Sequence, residues 1–179
     1  MMAYGTMGYV VRLGSGPFTY REVADVARCW RECRDEIVLV TGCFDLLHVG
    51  QVRFLEEAAR QGNRLIVSVG SDAHVRSLKG PGRPVLSAAS RVAMVAALRC
   101  VDCAVVADER MRTRAVNFRR LMAMTKPNVL VVPERDPNLE AKIKAATACG
   151  VAVREIPRVR DLDAKSTTRL LSKIRRTKT

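Results

Sequence analysis

Short apolar runs alternate with longer amphipathic segments along most of the chain. The apolar runs are rich in valine and isoleucine and predict β-strands over residues 37–41, 64–70, 103–107, 128–132 and 151–156. Near-continuous apolar character is typical of strands that are buried on both faces of a parallel sheet. The pattern therefore indicates a sheet at the centre of the molecule.

Segments with helical spacing separate these strands. They predict helices over residues 20–34, 50–61, 87–99, 113–125 and 138–149, and a last helix from residue 166. Residues that commonly cap helices stand at the predicted starts, namely Thr19 with Glu22, Ser87, Thr113, Asp136 before Pro137, and Ser166. Gly150 is a typical stop signal after the helix that precedes it.

This alternation predicts an α/β protein with a Rossmann-like three-layer fold, in which a parallel sheet of about five strands is flanked by helices. Ligands of such folds bind beyond the carboxyl ends of the strands, near the point where the strand order reverses. The segments after Val40, Val69 and Val132 are therefore the first places to look for a site. We expect a single domain over residues 19–179 and a flexible leader over residues 1–18, which contain four glycines and a proline.

Composition and charge narrow the choice of partners. A chain of 179 residues, 48% of them apolar, can form one domain with a sizeable core. Its net charge of +13 favours polyanionic partners such as nucleotides, phosphorylated metabolites or nucleic acid. Charged residues interrupt every long apolar run, so we expect no membrane-spanning helix. The cysteines are scattered and no secretory leader is visible, so we expect a cytoplasmic protein.

Cysteines and basic residues each suggest a further function, which the sequence supports weakly. Cys100 and Cys103 have the spacing of half a zinc site, and Cys29 with Cys33 would be the other half. Buried cysteines more often behave as small apolar residues, so we predict no protein metal site. Basic residues stand at positions 112, 114, 119 and 120 of one predicted helix and in the tail over 173–178. Aromatic residues are few, so a solvated face is favoured over a nucleic-acid surface.

The segment between the first strand and the next helix, residues 41–51, reads TGCFDLLHVGQ. Gly42 and Gly50 leave room for a ligand close to the backbone. The start of the helix attracts phosphate through its free N–H groups and its dipole. His48 stands at that start and can donate a hydrogen bond to phosphate oxygens, and Gln51 can do the same through its amide. The segment therefore predicts a phosphate-binding turn.

This turn resembles the signature of the HxGH nucleotidyltransferases, the cytidylyltransferase-like superfamily, with Gln51 in place of the second histidine. Within the superfamily the chain is most similar to the D-glycero-β-D-manno-heptose 1-phosphate adenylyltransferase domain, over residues 19–174. The segments that carry the resemblance are GCFDLLH, VRFLEEA, RLIVSVGSDAHVRSLKGPGRP, AALRCVD and STT at residues 166–168. Besides Gln51, the chain departs from the family pattern at two further places. Thr41 replaces a common asparagine, and VPERD at residues 132–136 replaces a Lys-Gly-Gly-Asp run.

The resemblance implies that AMP is transferred from ATP to a sugar 1-phosphate, that pyrophosphate is released, and that Mg²⁺ arrives with the nucleotide. A phosphate nucleophile is already ionised at neutral pH, so such a site mainly aligns two polyanions and neutralises their charge. The implied catalytic residues are His48, Gln51 and Lys79. The implied nucleotide contacts are Thr41, Gly42, Cys43, Phe44, His48, Gly50, Gln51, Arg83, Ser166, Thr167 and Thr168. The implied substrate contacts are Asp45, which also braces the turn, Asp72 and Lys79. Lys79 and Arg83 lie in a Gly-Pro-rich loop.

Two other functions stay open on the sequence alone. One alternative is a cytidylyltransferase for a polyol phosphate. It would share the phosphate-binding residues, and the sequence does not identify the residues that contact the base. A catalytically silent nucleotide- or polyanion-binding protein would keep the fold, and Gln51, which cannot carry positive charge, keeps that alternative open. The resemblance also implies a homodimer, whose interface the sequence does not identify.

Overall fold

The computed structural model describes residues 18–107 and 117–157. Its strands are β1 (Ile37–Gly42), β2 (Arg64–Val69), β3 (Cys103–Val106), β4 (Val129–Pro133) and β5 (Ala152–Ile156). Each strand lies on a predicted run, and no end is displaced by more than one residue. The prediction is confirmed because valine and isoleucine fit a pleated surface that is buried on both faces.

The strands form one parallel sheet in the order β3-β2-β1-β4-β5. On one side β1 pairs with β2, from Ile37 opposite Arg64 to Gly42 opposite Val69, and on its other side it pairs with β4. The chain thus builds outward through β2 and β3 and then returns to place β4 beside β1. The strand order reverses between β1 and β4, so the carboxyl ends of these strands flank the switch point at which such folds bind ligands.

The helices are α1 (Tyr20–Glu32), α2 (Val49–Ala59), α3 (Asp72–Lys79), α4 (Ala88–Ala96), α5 (Asn117–Thr125) and α6 (Leu139–Thr147). The predicted capping box at the start of α1 is confirmed. Glu22 N–H donates to Thr19 Oγ1 at 3.3 Å, and the Glu22 carboxylate accepts from Thr19 N–H at 2.7 Å. Ser87 caps α4 as predicted by accepting from Ser90 N–H.

Helix α3 is not predicted from the sequence pattern, because it is short and its only fully buried side chain is Val75. Ser71 starts this helix by accepting a hydrogen bond from His74 N–H at 3.2 Å. Gly80 ends it with a φ of 86°, a left-handed conformation that glycine adopts without strain.

Four helices end earlier than predicted, and two predicted starts cannot be compared. The last residues of α1, α2, α4 and α6, each two or three residues before the predicted end, are Glu32, Ala59, Ala96 and Thr147. Val101 N–H bonds to the carbonyl of Leu98, so the chain turns after α4 to enter β3. Residues 113 and 166, at the other two predicted starts, lie outside the described residues.

Two layers of buried side chains join the helices to the sheet. The layer under α1, α5 and α6 includes Val23, Trp30, Leu121, Met122 and Ala146. The layer under α2 and α4 includes Leu55, Ala58, Val92 and Val95. Helices therefore cover both faces, which confirms the Rossmann-like three-layer fold. Within the described ranges, no helix is long and apolar enough to cross a membrane.

Phe18, the last residue of the predicted leader, forms an isolated parallel bridge with Val105 and packs against the core beneath α1. The described chain therefore begins with a residue that contacts the domain. Residues 1–17 lie outside the described residues.

Candidate active site

The turn after β1 begins with a close approach of backbones. Gly42 accepts a hydrogen bond from Gly70 N–H at 2.8 Å, which joins the ends of β1 and β2. A Cβ atom on Gly42 would lie 2.8 Å from the ring of Phe44, so a side chain at position 42 would displace that ring. Glycine at this position therefore lets the turn fold back onto the core.

The same turn holds two residues in left-handed backbone conformations that disfavour side chains. Phe44 has a φ of 48° and Leu46 a φ of 53°. Such a conformation costs about 1 kcal/mol or more for a residue with a side chain, so surrounding contacts must hold it. The Phe44 ring is 4% exposed and belongs to the core, so only the backbone of this predicted nucleotide contact can face a ligand.

Asp45 ties the turn to the Gly-Pro-rich loop. Its carboxylate is 1% exposed and accepts hydrogen bonds from Val85 N–H at 3.0 Å, Leu86 N–H at 3.2 Å and Arg83 Nε at 2.6 Å. Burial raises the pKa of Asp45, but the two backbone N–H donors and Arg83 outweigh it, so the pKa lies below its usual value. The carboxylate therefore stays ionised and braces the turn.

Arg91, which no sequence motif indicates, holds three parts of the same region. This arginine of α4 is 0% exposed. It donates hydrogen bonds to the carbonyl of Cys43, to the carbonyl of Leu86 at 2.9 Å and to Asp72 Oδ1 at 2.7 Å. Its neighbour Val92 is buried too, so an arginine on the apolar face of a helix was the signal that could have identified it.

His48 and Gln51 stand at the start of α2, as the sequence predicts. His48 is the N-cap residue, with extended backbone angles, and its Nδ1 atom is buried. Gln51 Oε1 accepts a hydrogen bond from His48 N–H at 3.2 Å. This bond fixes the side-chain amide with its oxygen toward the backbone, so Nε2 is the end that can donate to a ligand.

Positive charge gathers around the turn. Burial raises the pKa of the Cys43 thiol, and Lys79, Arg91 and Arg83 partly offset that rise through their charges. The structure therefore brings the predicted residues Lys79 and Arg83 to the end of β1. The expectation that Lys79 belongs to the loop is wrong, because α3 extends to Lys79 and the loop begins at Gly80.

Asp72, a predicted sugar contact, is the first residue of α3. One of its carboxylate oxygens accepts the hydrogen bond from Arg91, and its side chain is 39% exposed. The carboxylate thus reaches solvent while it holds a buried cation.

The segment after β4 lies across the switch point from the turn. Asp136 accepts hydrogen bonds from Asn138 N–H and from the Lys142 ammonium group, both at 2.8 Å. Asp136 and Lys142 are nearly buried, and Arg135 has a φ of 58°. A rigid turn braced by an ion pair therefore stands where the family resemblance leads one to expect glycines.

The cysteines considered for zinc are dispersed over the structure. Cys29 and Cys33 lie at α1, and burial raises the pKa of Cys103, in β3, to about 12. Across residues 18–107 and 117–157, no group of three or more His, Cys, Asp or Glu side chains could hold a metal ion. A buried thiol with a raised pKa stays protonated and is a poor metal ligand.

Several predicted residues lie outside the described residues. These are the nucleotide contacts Ser166, Thr167 and Thr168, and the basic residues at positions 112, 114 and 173–178. Their relation to the turn stays a prediction.

Comparison with known proteins connects this geometry to curated relatives. The cytidylyltransferase-like family matches residues 39–171. The bifunctional protein HldE of Pseudomonas fluorescens is 40% identical over 147 residues, which are 81% of this chain and 29% of that protein. HldE of Koribacter versatilis is 41% identical over 113 residues, which are 63% of this chain and 22% of that protein. The chain therefore spans less than a third of the length of these relatives.

Solved structures agree on the fold. A lipopolysaccharide core biosynthesis protein from Thermoplasma volcanium matches with a TM-score of 0.57 and 24% identity, over 71% of this chain and 98% of that one. Pantothenate synthetase from Thermus thermophilus matches with a TM-score of 0.55 and 20% identity, over 78% of this chain and 61% of that one. These structures show the fold, and the family match over residues 39–171 shows that the chain belongs to the cytidylyltransferase-like family.

Proposed function

We propose that this protein is a nucleotidyltransferase that transfers AMP from ATP to a heptose 1-phosphate or a similar sugar 1-phosphate and releases pyrophosphate. Membership in the cytidylyltransferase-like family and the identity with HldE proteins support this proposal. The observation that carries it is the convergence of a helix start, His48, Gln51 and the charge of Lys79 at the carboxyl end of β1.

The proposed reaction is an attack by a sugar-phosphate oxygen on the α-phosphorus of ATP. The new P–O bond forms as the bond to pyrophosphate breaks, and the nucleophile needs no dedicated base because it is already ionised. The protein aligns the two phosphates and stabilises the charge that grows between them. His48 and the Gln51 amide donate to α-phosphate oxygens from the start of α2, whose dipole has the complementary sign.

Cations act from the opposite side of the turn in this proposal. Lys79, at the end of α3, binds phosphate as a point charge. Arg83 uses Nε to bind Asp45 and turns its remaining N–H groups toward the nucleotide. Asp45 is a brace rather than a sugar ligand, because both of its oxygens already accept hydrogen bonds from the loop. Asp72 keeps its proposed contact with the sugar through its exposed edge.

Mg²⁺ fits this arrangement as an ion carried by the nucleotide. The Asp45 carboxylate is enclosed by its donors and Asp72 shares its charge with Arg91, so neither is an unoccupied metal ligand. Mg²⁺ commonly keeps several waters and binds substrate phosphates with few protein ligands. Once bound, it would neutralise phosphate charge during transfer, while residues of this chain hold the phosphates in line.

Pyrophosphate release tests the proposal. The purified protein is incubated with Mg²⁺, each nucleoside triphosphate and a panel of sugar 1-phosphates and polyol phosphates. We expect release with ATP and a heptose 1-phosphate. Release only with CTP and a polyol phosphate would identify a cytidylyltransferase. If no pair released pyrophosphate and calorimetry still showed tight nucleotide binding, the protein would be a silent binder.

Three broader statements accompany the proposal. We propose a nucleoside triphosphate and a sugar phosphate as the partners, with no role for nucleic acid. We also propose that the protein acts in the cytoplasm and that two copies pair. Sedimentation at several concentrations tests the pairing, and a single monomer mass throughout would contradict it.

A further inference from the structure

We propose that Arg91 is a positioning residue that holds the turn after β1, the start of α3 and the Gly-Pro-rich loop in the geometry needed for nucleotidyl transfer. The reaction in this inference rests on the proposed function, whereas the clamp itself is tested without turnover. Arg91 is 0% exposed, so it acts through the residues it holds and touches no substrate.

The hydrogen bonds of Arg91 reach one acceptor in each segment. They run to the carbonyl of Cys43 in the turn, to Asp72 at the start of α3 and to the carbonyl of Leu86 at the end of the loop between α3 and α4. A guanidinium group can serve three acceptors because its N–H donors lie in a rigid plane. A single buried side chain therefore sets the relative positions of three segments that contribute proposed site residues.

Leu86 connects this clamp to Asp45. Its N–H donates to the Asp45 carboxylate at 3.2 Å, and its carbonyl accepts from Arg91 at 2.9 Å. Both polar groups of one backbone residue are therefore held by side chains of opposite charge. The two ion pairs, Asp45 with Arg83 and Arg91 with Asp72, thus form one network around the turn.

The position of Cys43 explains why the clamp matters for the site. Its carbonyl belongs to the peptide that enters Phe44, which has a φ of 48°, and Leu46 follows with a φ of 53°. A turn with two such residues relaxes unless its ends are fixed. Arg91 fixes the Cys43 end and Asp45 fixes the middle, so the backbone leading to His48 keeps one conformation.

Stability alone does not account for a buried arginine at this place. Removing charges from water is unfavourable, and well-packed apolar residues often replace buried ion pairs without loss of stability. The neighbours Val92 and Val95 show that α4 buries apolar side chains on this face. An arginine here instead supplies directional bonds to two carbonyls and a carboxylate.

Arg91→Lys tests the inference, because it keeps the charge but cannot bond to all three acceptors in one plane. We expect kcat for pyrophosphate release to fall about 10- to 100-fold, since small misplacements of catalytic groups reduce rates by such factors. The KM values should stay within about threefold of the wild type, because the substrate contacts themselves remain. A KM increase with unchanged kcat would overturn the positioning role.

Arg64→Lys is the matched control. Arg64 is also an arginine held by several acceptors, Asp35 at 2.7 Å and Asp102 at 3.4 Å, but it lies at the amino edge of the sheet, away from the turn. We expect this variant to keep the wild-type kcat. An equal kcat loss in both variants would mean that the defect reflects general destabilisation, and the inference would fail.

Hydrogen–deuterium exchange tests the clamp without turnover. In Arg91→Lys, exchange should rise about tenfold or more in peptides that cover residues 41–48, 71–75 and 83–87. It should not rise there in Arg64→Lys. If the wild type released no pyrophosphate, the proposed function would fail while this readout still decided the clamp. Unchanged exchange in these peptides would overturn the inference.

Asp72→Asn provides a second variant if Arg91→Lys does not fold. The asparagine amide keeps an oxygen that can accept from Arg91 but carries no negative charge. Exchange in residues 71–75 should therefore rise by a smaller factor than in Arg91→Lys. Where Arg91→Lys folds, the double variant should show no larger rise in exchange over residues 71–75 than Arg91→Lys alone, because both changes break the Asp72–Arg91 pair. Fully additive effects would show that Asp72 and Arg91 act independently and would contradict the inference.

Discussion

Both edges of the sheet hold an arginine that pairs with carboxylates, yet the two edges differ in what those pairs control. At the amino edge, Arg64 lies between Asp35 and Asp102 and its guanidinium carbon is 5.5 Å from the centre of the Trp30 ring. This network ties the starts of neighbouring strands together. At the carboxyl edge, Arg91 holds the turn after β1, the Gly-Pro-rich loop and the start of α3 instead. The same ion-pair chemistry supports strand packing at one edge and backbone positioning at the other.

Helix direction makes the difference larger. In a parallel α/β sheet each helix that follows a strand starts at the carboxyl edge, as α2, α3 and α6 do, so positive dipole ends gather there. The amino edge receives helix ends, and Arg31 donates to the carbonyl of Thr125 at the end of α5. A cleft at this edge is also basic, with Arg34, Arg119 and Lys126 in its lining. A high net charge alone therefore does not locate the phosphate site.

His48→Ala should produce the largest loss of activity, and it tests whether the phosphate site lies at the carboxyl edge. We expect turnover to fall about 10²- to 10³-fold, because one donor to the charge that grows in the transition state is lost. The melting temperature should stay within a few degrees of the wild type, since the half-buried ring is not part of either core layer. Pyrophosphate release and thermal unfolding measure the two quantities. Full activity in this variant would mean that the phosphate site is not at the turn.

Gln51→Glu should separate the two roles of Gln51. The carboxylate can still accept from His48 N–H, so the capping box and the stability should be kept or improved. The variant loses the Nε2 donor and places negative charge near phosphate, so we expect a rate loss of about 100-fold. Gln51→Ala should lose both stability and rate.

Two outcomes of that series would change the interpretation. A fully active Gln51→Glu protein would show that Gln51 only caps α2. Gln51→His should keep activity within about tenfold, because neutral imidazole offers the same acceptor and donor pair as the amide. A large rate gain in Gln51→His would instead show that the amide is a poor substitute for the second histidine.

The sequence predicts the sheet better than it predicts the network around the site. The strands were predictable because runs such as IVLV and LIVSV bury every side chain. The phosphate-binding turn was predictable because glycines, a histidine and a helix start follow a strand. Helix α3 was not predicted, because it buries only Val75 and leads into a Gly-Pro-rich loop.

Long-range partners account for what the sequence could not show. Arg91 contacts Cys43, 48 positions earlier in the chain, and nothing local distinguishes this arginine from a solvated one except its buried neighbours. Asp45 and Arg83 are separated by 38 positions, so their ion pair appears only when the loop folds over the turn. Such pairs depend on the order of the strands, which local patterns do not contain.

Asp45→Asn should destabilise the fold at the carboxyl edge, because it removes the buried carboxylate that pairs with Arg83. We expect a loss of about 3 kcal/mol or more in the free energy of unfolding at neutral pH, because breaking one side of a buried pair leaves the other uncompensated. The pKa of Asp45 is lowered in the folded state, so its contribution is present above the unfolded pKa of about 4 and is lost as the pH falls through the folded pKa. The stability gap between wild type and variant should therefore shrink below about pH 4 in urea titrations. A gap that stayed constant down to strongly acidic pH would contradict the ion-pair role.

Asp102→Asn should produce the smallest effect, with the opposite sign, at the amino edge. Burial raises the pKa of Asp102 above its usual value, although Leu65 N–H and Arg64 lower it in part. The folded state therefore binds the proton more tightly, and the contribution of Asp102 to stability falls as the pH rises from the unfolded pKa of about 4 through the folded pKa. Asparagine keeps an oxygen that can accept from Leu65 N–H, so the variant should match or exceed the wild type at neutral pH by less than about 1 kcal/mol. Urea titrations at acidic and neutral pH measure both slopes, and a loss at neutral pH as large as that of Asp45→Asn would erase the distinction between the two edges.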